Sequence, residues 1–465
     1  MPKMFCFRQS VIVCILILLC LLIAVFVFAG EKNTHQSYDY HDEIEVCSSK
    51  ACQETAKRWR GAMDLTADPC EDFYQYACGG FIAKHATNSD SIKSWDQSFN
   101  FRLSFDTMTD YVSNMLFDEQ FEEEVLRHAR YSFISCVFPN EIIDIGDILN
   151  FYSVTSIHPA RVKACTTSVM RKFTWAIGAA FVRQDPQKEN IGKVRHMLNE
   201  IKLEFWKIVN DSSWMIDNFS LEEKALKVES LTEIVGYDPS FLTDTEKPKD
   251  SSFVRERGPL AKSAAYYSSG NIFFVPLMIM YPPYFHLGLD VLEYGAIGAI
   301  IGHHFSHLFF AKGGFPDFIS RPYLYHYFEL QDCLVDQYVE EFKRFLAFRK
   351  NESDRINGFY TLNENIADSV GLKAAFYAYK RLNGPKRKLV DFENYSTEQL
   401  FFVSNAHLMC SSETKQFTEY TIFNEVHSPF RFRVNLPMAN FDEFARAWGC
   451  PLGTKMNPHK RCVVW

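Results

Sequence analysis

The sequence predicts a mainly helical chain with a small β component, an α+β fold, on three observations. Apolar residues recur at spacings of three and four over 54–130 and again over 165–235, the period of amphipathic helices. Residues 291–312 contain no breakers other than Gly295, Gly298 and Gly302 and end at Gly313-Gly314, which predicts one long helix whose glycines permit close packing. The β content is expected in two short aromatic runs, 263–267 and 272–275, joined by Ser268-Ser269-Gly270-Asn271 as a hairpin. With 465 residues, 47% of them hydrophobic, and a net charge of -8, the chain can bury a large core. The same balance excludes a disordered chain and a polycationic nucleic-acid binder, so no nucleic-acid partner is expected.

Residues 11–29 (VIVCILILLCLLIAVFVFA) form an uncharged run of 19 residues, which at about 1.5 Å per residue spans roughly 28 Å of hydrocarbon. Lys3 and Arg8 precede it and Glu31 and Asp39 follow, so the positive-inside rule sets an N-in orientation. The expected order is a cytoplasmic tail (1–10), a transmembrane signal anchor (11–29) and a polar stalk (30–46). The remainder is then an ectodomain on a single-pass type II protein of the plasma membrane. A cleaved signal peptide ending at Val27-Phe28-Ala29 is the alternative, although the run is longer than the about 7–15 apolar residues usual there.

Of 13 cysteines, Cys6, Cys14 and Cys20 lie in or before that run, leaving ten beyond it, an even set open to five bridges in an oxidising compartment. Sequons at Asn210, Asn218, Asn351 and Asn394 fit a glycosylated ectodomain. Within it, 47–245 reads as a helical lobe that includes an amphipathic helix at 222–234. Residues 246–262 read as a linker and 263–465 as a second lobe.

On the helix predicted over 291–312, His303 and His307 are spaced i, i+4, so two imidazoles project from one face and can share an ion. Zinc needs a third protein ligand if one position is to stay open for water. Glu364-Asn365-Ile366-Ala367-Asp368 opens another helix with both carboxylates on one face, one able to bind metal and the other to orient a histidine. Taken alone, these residues read as satisfied core histidines and a solvated helix face.

Ordered words along the chain change that weighing. Cys70-Glu71-Asp72-Phe73-Tyr74-Gln75-Tyr76-Ala77-Cys78-Gly79-Gly80 is followed by Ala265-Tyr266-Tyr267 with Phe274-Val275-Pro276, and then by 364–368. His427-Ser428-Pro429 with Arg433, and Cys462-Val463-Val464-Trp465, complete the set. Together they resemble the neprilysin and endothelin-converting-enzyme family of membrane zinc metallopeptidases over most of the ectodomain. The resemblance implies a thermolysin-like zincin catalytic lobe beside a helical lobe, with extracellular peptides as substrates. It implies one Zn2+ on His303, His307 and Glu364, Asp368 as the carboxylate behind a ligand, His427 as donor to the transition-state oxyanion, and Ala265 and Arg433 as substrate-binding residues. It further implies the pairs Cys47–Cys52, Cys70–Cys450, Cys78–Cys410, Cys136–Cys165 and Cys333–Cys462.

The chain departs from that pattern at the chemistry. The family's H-E-x-x-H motif supplies a glutamate as general base, and His304 occupies its position. After His307 the family continues with an aspartate that hydrogen-bonds this histidine, whereas this chain reads Leu308-Phe309-Phe310-Ala311, and Ala264 stands for a substrate-binding asparagine. Ser369-Val370 replaces a small polar pair. Between Cys136 and Cys165 only 137–164 remain of a long helical stretch, so the first lobe is reduced, the cleft is open and the exposed apolar surface invites a homo- or heterodimer. The reading is a degenerate homologue that holds zinc, possesses little or no peptidase activity, and serves as a peptide-binding or decoy ectodomain. An active zinc metalloendopeptidase and a metal-free structural interaction partner are the alternatives.

Overall fold

The computed structural model describes residues 45–85, 101–102, 112–116, 124–137, 159–184, 189–212, 225–239, 241, 258–261, 263–282, 284–285, 288–309, 321–346, 356–383 and 386–463. The anchor, the stalk up to Ile44, residues 246–257 of the linker, and the sequons at Asn218 and Asn351 lie outside the described residues. Asn210 and Asn394 lie within them and are exposed. Among the described residues no helix is long and apolar enough to cross a membrane.

The chain enters through β1 (Glu45–Cys47), tied by the Cys47–Cys52 disulfide to α1 (Lys50–Ala62). Ser49 caps α1 by accepting the Cys52 amide, an interaction worth about 1 kcal/mol over alanine. α2 (Phe73–His85) packs Phe73, fully buried, edge-on against Phe444 and Trp448 of the far C-terminus. After the two-residue β2 (Phe101–Arg102), α3 (Glu124–Val137) and α4 (Pro159–Lys172) are joined by Cys136–Cys165. α5 (Thr174–Gln184) follows, and α6 (Glu189–Asn210) turns Val194, Leu198, Ile201 and Phe205 inward at spacings of three and four.

β3 (Thr232–Gly236) corrects the helix expected over 222–234. The helix stops at Glu229, and Thr232, Glu233 and Ile234 belong to a strand. Its β-branched Thr232, Ile234 and Val235 suit a pleat, and its parallel partner is distant in sequence, invisible to local periodicity. The predicted hairpin is present as β4 (Ala265–Tyr267) and β5 (Ile272–Pro276), giving the sheet order β3-β5-β4. Between them Asn271 takes a left-handed φ of 46°, held by its amide donating to the Lys227 carbonyl and by its oxygen accepting from Tyr266.

The single helix expected over 291–312 is instead α7 (Asp290–Glu293), a π turn (Tyr294–Gly298) and α8 (Ala299–Ser306), with His307 as the C-cap. Residues 310–312 lie outside the described residues. Side chains from a later helix account for the π turn: Asn405 donates to the Gly295 carbonyl at 3.1 Å and Ser404 to the Leu292 carbonyl at 2.8 Å, competing with the ladder. α9 (Arg321–Phe345) leads to α10 (Leu362–Arg381). α8 and α10 cross backbone to backbone: a Cβ on Gly302 would sit 2.7 Å from the Gly371 carbonyl oxygen, and one on Gly371 would collide with His303 N.

The remaining elements are β6 (Arg387–Leu389), α11 (Thr397–Met409), β7 (Ser411–Ser412), α12 (Lys415–Asn424), α13 (Phe430–Ala439) and α14 (Asp442–Trp448). β6 pairs with β1 in parallel and β7 with β2 antiparallel, so the first described residues are stitched to the last helices. Cys70–Cys450, Cys78–Cys410 and Cys333–Cys462 add covalent ties across separations of 380, 332 and 129 residues. Loops of that length remove the most denatured-state entropy in the chain-entropy account, on the order of 5–6 kcal/mol each.

Glu293, at the end of α7, is 3% exposed and accepts the Gly288 amide at 2.9 Å. Burial pushes its carboxyl up to about 8 despite that bond. An acid whose folded pKa lies above its unfolded value of about 4.3 keeps a proton in the folded state that the unfolded state has released. Its contribution is therefore complete near pH 4 and is lost as pH rises toward 8. Glu293→Gln keeps the acceptor and removes the titration. Calorimetry is expected to find its Tm close to the native protein's near pH 4.5 and above it at pH 8; equal pH slopes would refute the buried, neutral Glu293.

Candidate metal centre

Backbone contact at the α8–α10 crossing sets the imidazole of His303 directly over the first two turns of α10, where Glu364 and Asp368 share a face. Asp368 Oδ1 lies 2.7 Å from His303 Nδ1. Arg433, on α13, donates Nε and Nη2 to the two oxygens of the same carboxylate, each at 2.8 Å. All three side chains are buried. Burial opposes the charge on Asp368, but Arg433 and His303 outweigh it and hold the carboxyl well below the usual range.

An ionised Asp368 fixes one proton of His303 on Nδ1 and turns Nε2 inward, where it offers a lone pair once deprotonated. That nitrogen is 3.0 Å from Glu364 Oε2 and 3.3 Å from His307 Nε2, and His307 Nε2 is 3.4 Å from the same oxygen. Four ligands placed tetrahedrally at 2.0–2.1 Å from zinc are separated by about 3.3–3.4 Å. The three atoms thus already stand at the edges such an ion requires. Glu364 Oε2 is enclosed among three imidazole nitrogens at 3.0–3.4 Å. An enclosed anionic oxygen ringed by imidazole nitrogens calls for a cation among them, a proton or a metal ion, so the donor set fits zinc. Without an ion the protein compensates by protonation: burial lowers His303, but the charges of Asp368 and Glu364 override it and raise the imidazole to about 9.

His427 closes on the same oxygen, with Nε2 3.0 Å from Glu364 Oε2 and its ring nearly parallel to that of His303. It is the most exposed member, at 43% of its side chain. Two residues that sequence reasoning missed position it. Ser428 donates to Asn365 Oδ1 at 2.7 Å, and the Asn365 amide donates to Thr361 at 3.0 Å, pinning the loop before α13 to the start of α10. Their signal was adjacency, since each follows a singled-out residue directly.

His304 faces elsewhere. Its Nε2 is 2.9 Å from the Ser263 hydroxyl, a contact also missed because nothing in the sequence links the two. Burial and the neighbouring imidazoles of His303 and His307 hold it well below its ordinary pKa. No described carboxylate holds His307 Nδ1: Leu308 and Phe309 are fully buried, and Phe309 stacks on Phe205 of α6. Ala265 lies on β4, at the edge of its sheet, and Ala264 beside it is buried. A cavity of about 510 Å³ opens beside the centre, bounded by Ser263, His304, His427 and Arg433 and by apolar Ile279, Ile300 and Leu372. All five cysteine pairs that the resemblance implies are bonded.

Residues 264–464, which contain this centre, match the profile of peptidase family M13. Neprilysin-1 of Caenorhabditis elegans is 30% identical over 356 residues, 66% of this chain and 46% of that protein. The chain belongs to peptidase family M13. It spans about half the length of the curated M13 relatives it matches. Among solved structures, the zinc metalloprotease ZMP1 of Mycobacterium tuberculosis in complex with an inhibitor aligns with a TM-score of 0.54 at 20% identity, covering 68% of this chain and 54% of that one. A chain of the Haemonchus galactose containing glycoprotein complex aligns with a TM-score of 0.69 at 16% identity over 90% of this chain and 100% of its own. The M13 fold is thus shared, and the mainly helical, zincin-type architecture expected from the sequence is present.

Asp368→Asn preserves shape but removes the charge that fixes His303. Zinc affinity is expected to fall about 10- to 100-fold, measured by competition with a chelating dye; an unchanged affinity would show that Asp368 does not govern the ligand.

Proposed function

We propose that this chain is an M13 homologue that holds one zinc ion, binds extracellular peptides and hydrolyses them poorly or not at all. The observation that carries the reading is the filling of the general-base position by His304 beside an intact ligand set. Bound by His303, His307 and Glu364, zinc would supply a Lewis acid able to polarise a peptide carbonyl and acidify a water.

What the chain's own residues do limits that chemistry. A proton taken by His304 would place a cation in a buried site next to two further imidazoles, the arrangement that already depresses its pKa. Glu364 and Asp368 are committed, one to the imidazoles and the other to Arg433 and His303. Loss of a positioned base typically costs about 10²- to 10⁴-fold in rate. Peptide binding is better preserved: the edge of β4 can add an extended strand, and the adjoining cavity offers apolar walls for a side chain. The polar exits of zinc-site residues toward that cavity, His427 and Arg433, supply donors for a peptide carbonyl. On this reading the 11–29 run tethers the ectodomain, N-in, to the plasma membrane.

A second reading, a subunit of a larger glycoprotein assembly, draws on one observation. The solved chain matched over its whole length belongs to the Haemonchus galactose containing glycoprotein complex, whereas ZMP1 is matched over about half of its own.

The test incubates the native protein with short peptides, reads binding by fluorescence anisotropy and cleavage by mass spectrometry, and includes an active M13 peptidase alongside. Binding with chelator-sensitive cleavage at least about 10²-fold slower than the comparator is expected. Cleavage at the comparator's rate would overturn the reading.

A further inference from the structure

We propose a second ligand site: a cavity of about 330 Å³ between α6, the π turn, the end of α10 and β6 binds a small molecule through an oxyanion group, a carboxylate or a phosphate. The site is independent of the metal centre and shares no lining residue with the cavity beside it.

The observation that carries the proposal is a pair of buried donors with nothing to bond. Tyr294 opens the π turn and is 3% exposed, yet its Oη has no hydrogen-bond partner. Arg387, on β6, donates Nη1 to the Gly288 carbonyl at 2.8 Å and Nη2 to Glu45 at 3.1 Å, while its enclosed Nε is left without an acceptor. Both residues line this cavity. Burial, reinforced by the charges of Asp290, Glu200 and Glu293, pushes the Tyr294 phenol well up, so it keeps its proton. A guanidinium nitrogen can only donate. Native proteins rarely bury such donors unpaired except where water, an ion or a ligand meets them.

Charge decides what kind of acceptor fits. Lys193 on α6 and Lys386 beside β6 are exposed at the rim of the cavity, and neither forms an ion pair or hydrogen bond among the described residues. Two acids share the lining, Asp290 and Glu293. Burial raises Glu293 to about 8, so at neutral pH its carboxyl is mostly protonated and does not repel an anion. Asp290 is then set against the two lysines and the Arg387 guanidinium, which Glu45 partly neutralises. Two inward donors under a cationic rim select an oxyanion over a neutral acceptor, and a guanidinium suits carboxylate and phosphate alike. The volume lies at the small end of the roughly 300–1,000 Å³ usual for ligand sites, room for one compact anion.

The test adds inorganic phosphate and, separately, glutarate to the full native protein in a buffer free of both. Ionic strength is held fixed so that screening does not change. Tm is followed by scanning fluorimetry and affinity by titration calorimetry. A saturable rise in Tm with at least one probe is expected, and the probe that gives it identifies the source of the oxyanion. Tyr294→Phe removes only the unpaired hydroxyl; without ligand it should be at least as stable as the native protein, and it should bind the probe about tenfold more weakly. Arg387→Lys keeps the charge, removes Nε and should weaken binding to a similar degree; circular dichroism checks that each variant is folded. Prior removal of metal with a chelator should leave binding unchanged. Binding lost on chelation would place the anion on a metal ion and overturn the proposal. No saturable binding of either probe, or binding that Tyr294→Phe leaves unchanged, would overturn it in favour of a cavity that holds only water.

Discussion

An ionised carboxylate removed from water costs several kcal/mol unless charges and hydrogen bonds replace its hydration, and Asp368 is such a group at 7% side-chain exposure. Its compensation comes from two other elements, Arg433 on α13 in a two-point clasp and His303 on α8 through Nδ1. The arrangement is mutual. Arg433 is 12% exposed and would be an unpaired buried cation without Asp368, and His303 would lose the group that selects its tautomer. Everything at the metal centre depends on this carboxylate, because it decides which nitrogen of His303 points at Glu364.

The approach that makes the clasp possible is steric. Gly302 and Gly371 let α8 and α10 touch backbone to backbone, a separation that side chains at those positions would forbid. The π turn before α8 then rotates the histidine face toward α10, and hydrogen bonds from Ser404 and Asn405 of α11 hold it there. Long-range disulfides fasten α2, the loop before it and α9 to the C-terminal segment around this core. The ligands are therefore carried on helices rather than loops, and their convergence is prepared before any ion arrives.

Much of this was legible because the decisive patterns are local. The i, i+4 spacing of His303 and His307, the shared face of Glu364 and Asp368, and the turn residues of the β4–β5 hairpin each follow from one period or one turn type. What was not legible depends on distant partners. β3 reads as a helix until its parallel pairing with β5 is seen, and the π turn exists because a helix a hundred residues away contributes Ser404 and Asn405. The bond from Ser263 to His304, and the closeness of His427 to Glu364, arise only when separate segments meet. Of the 308–311 run that lacks the family's aspartate, Leu308 and Phe309 enter the core, Phe309 stacking on Phe205 of α6.

Holding an ion and using it are separable in this centre. Preorganised ligands, an enclosed carboxylate oxygen ringed by imidazoles and a fixed tautomer support the first, while His304 in place of a glutamate weakens the second. The most direct measurement is metal content by mass spectrometry of the full native protein after chelation, re-addition of zinc and desalting. One zinc per chain, reversibly removed, is the result the account requires. A protein that stays metal-free at saturating zinc would contradict it and leave the converging imidazoles and carboxylate as a purely structural ion-pair cluster.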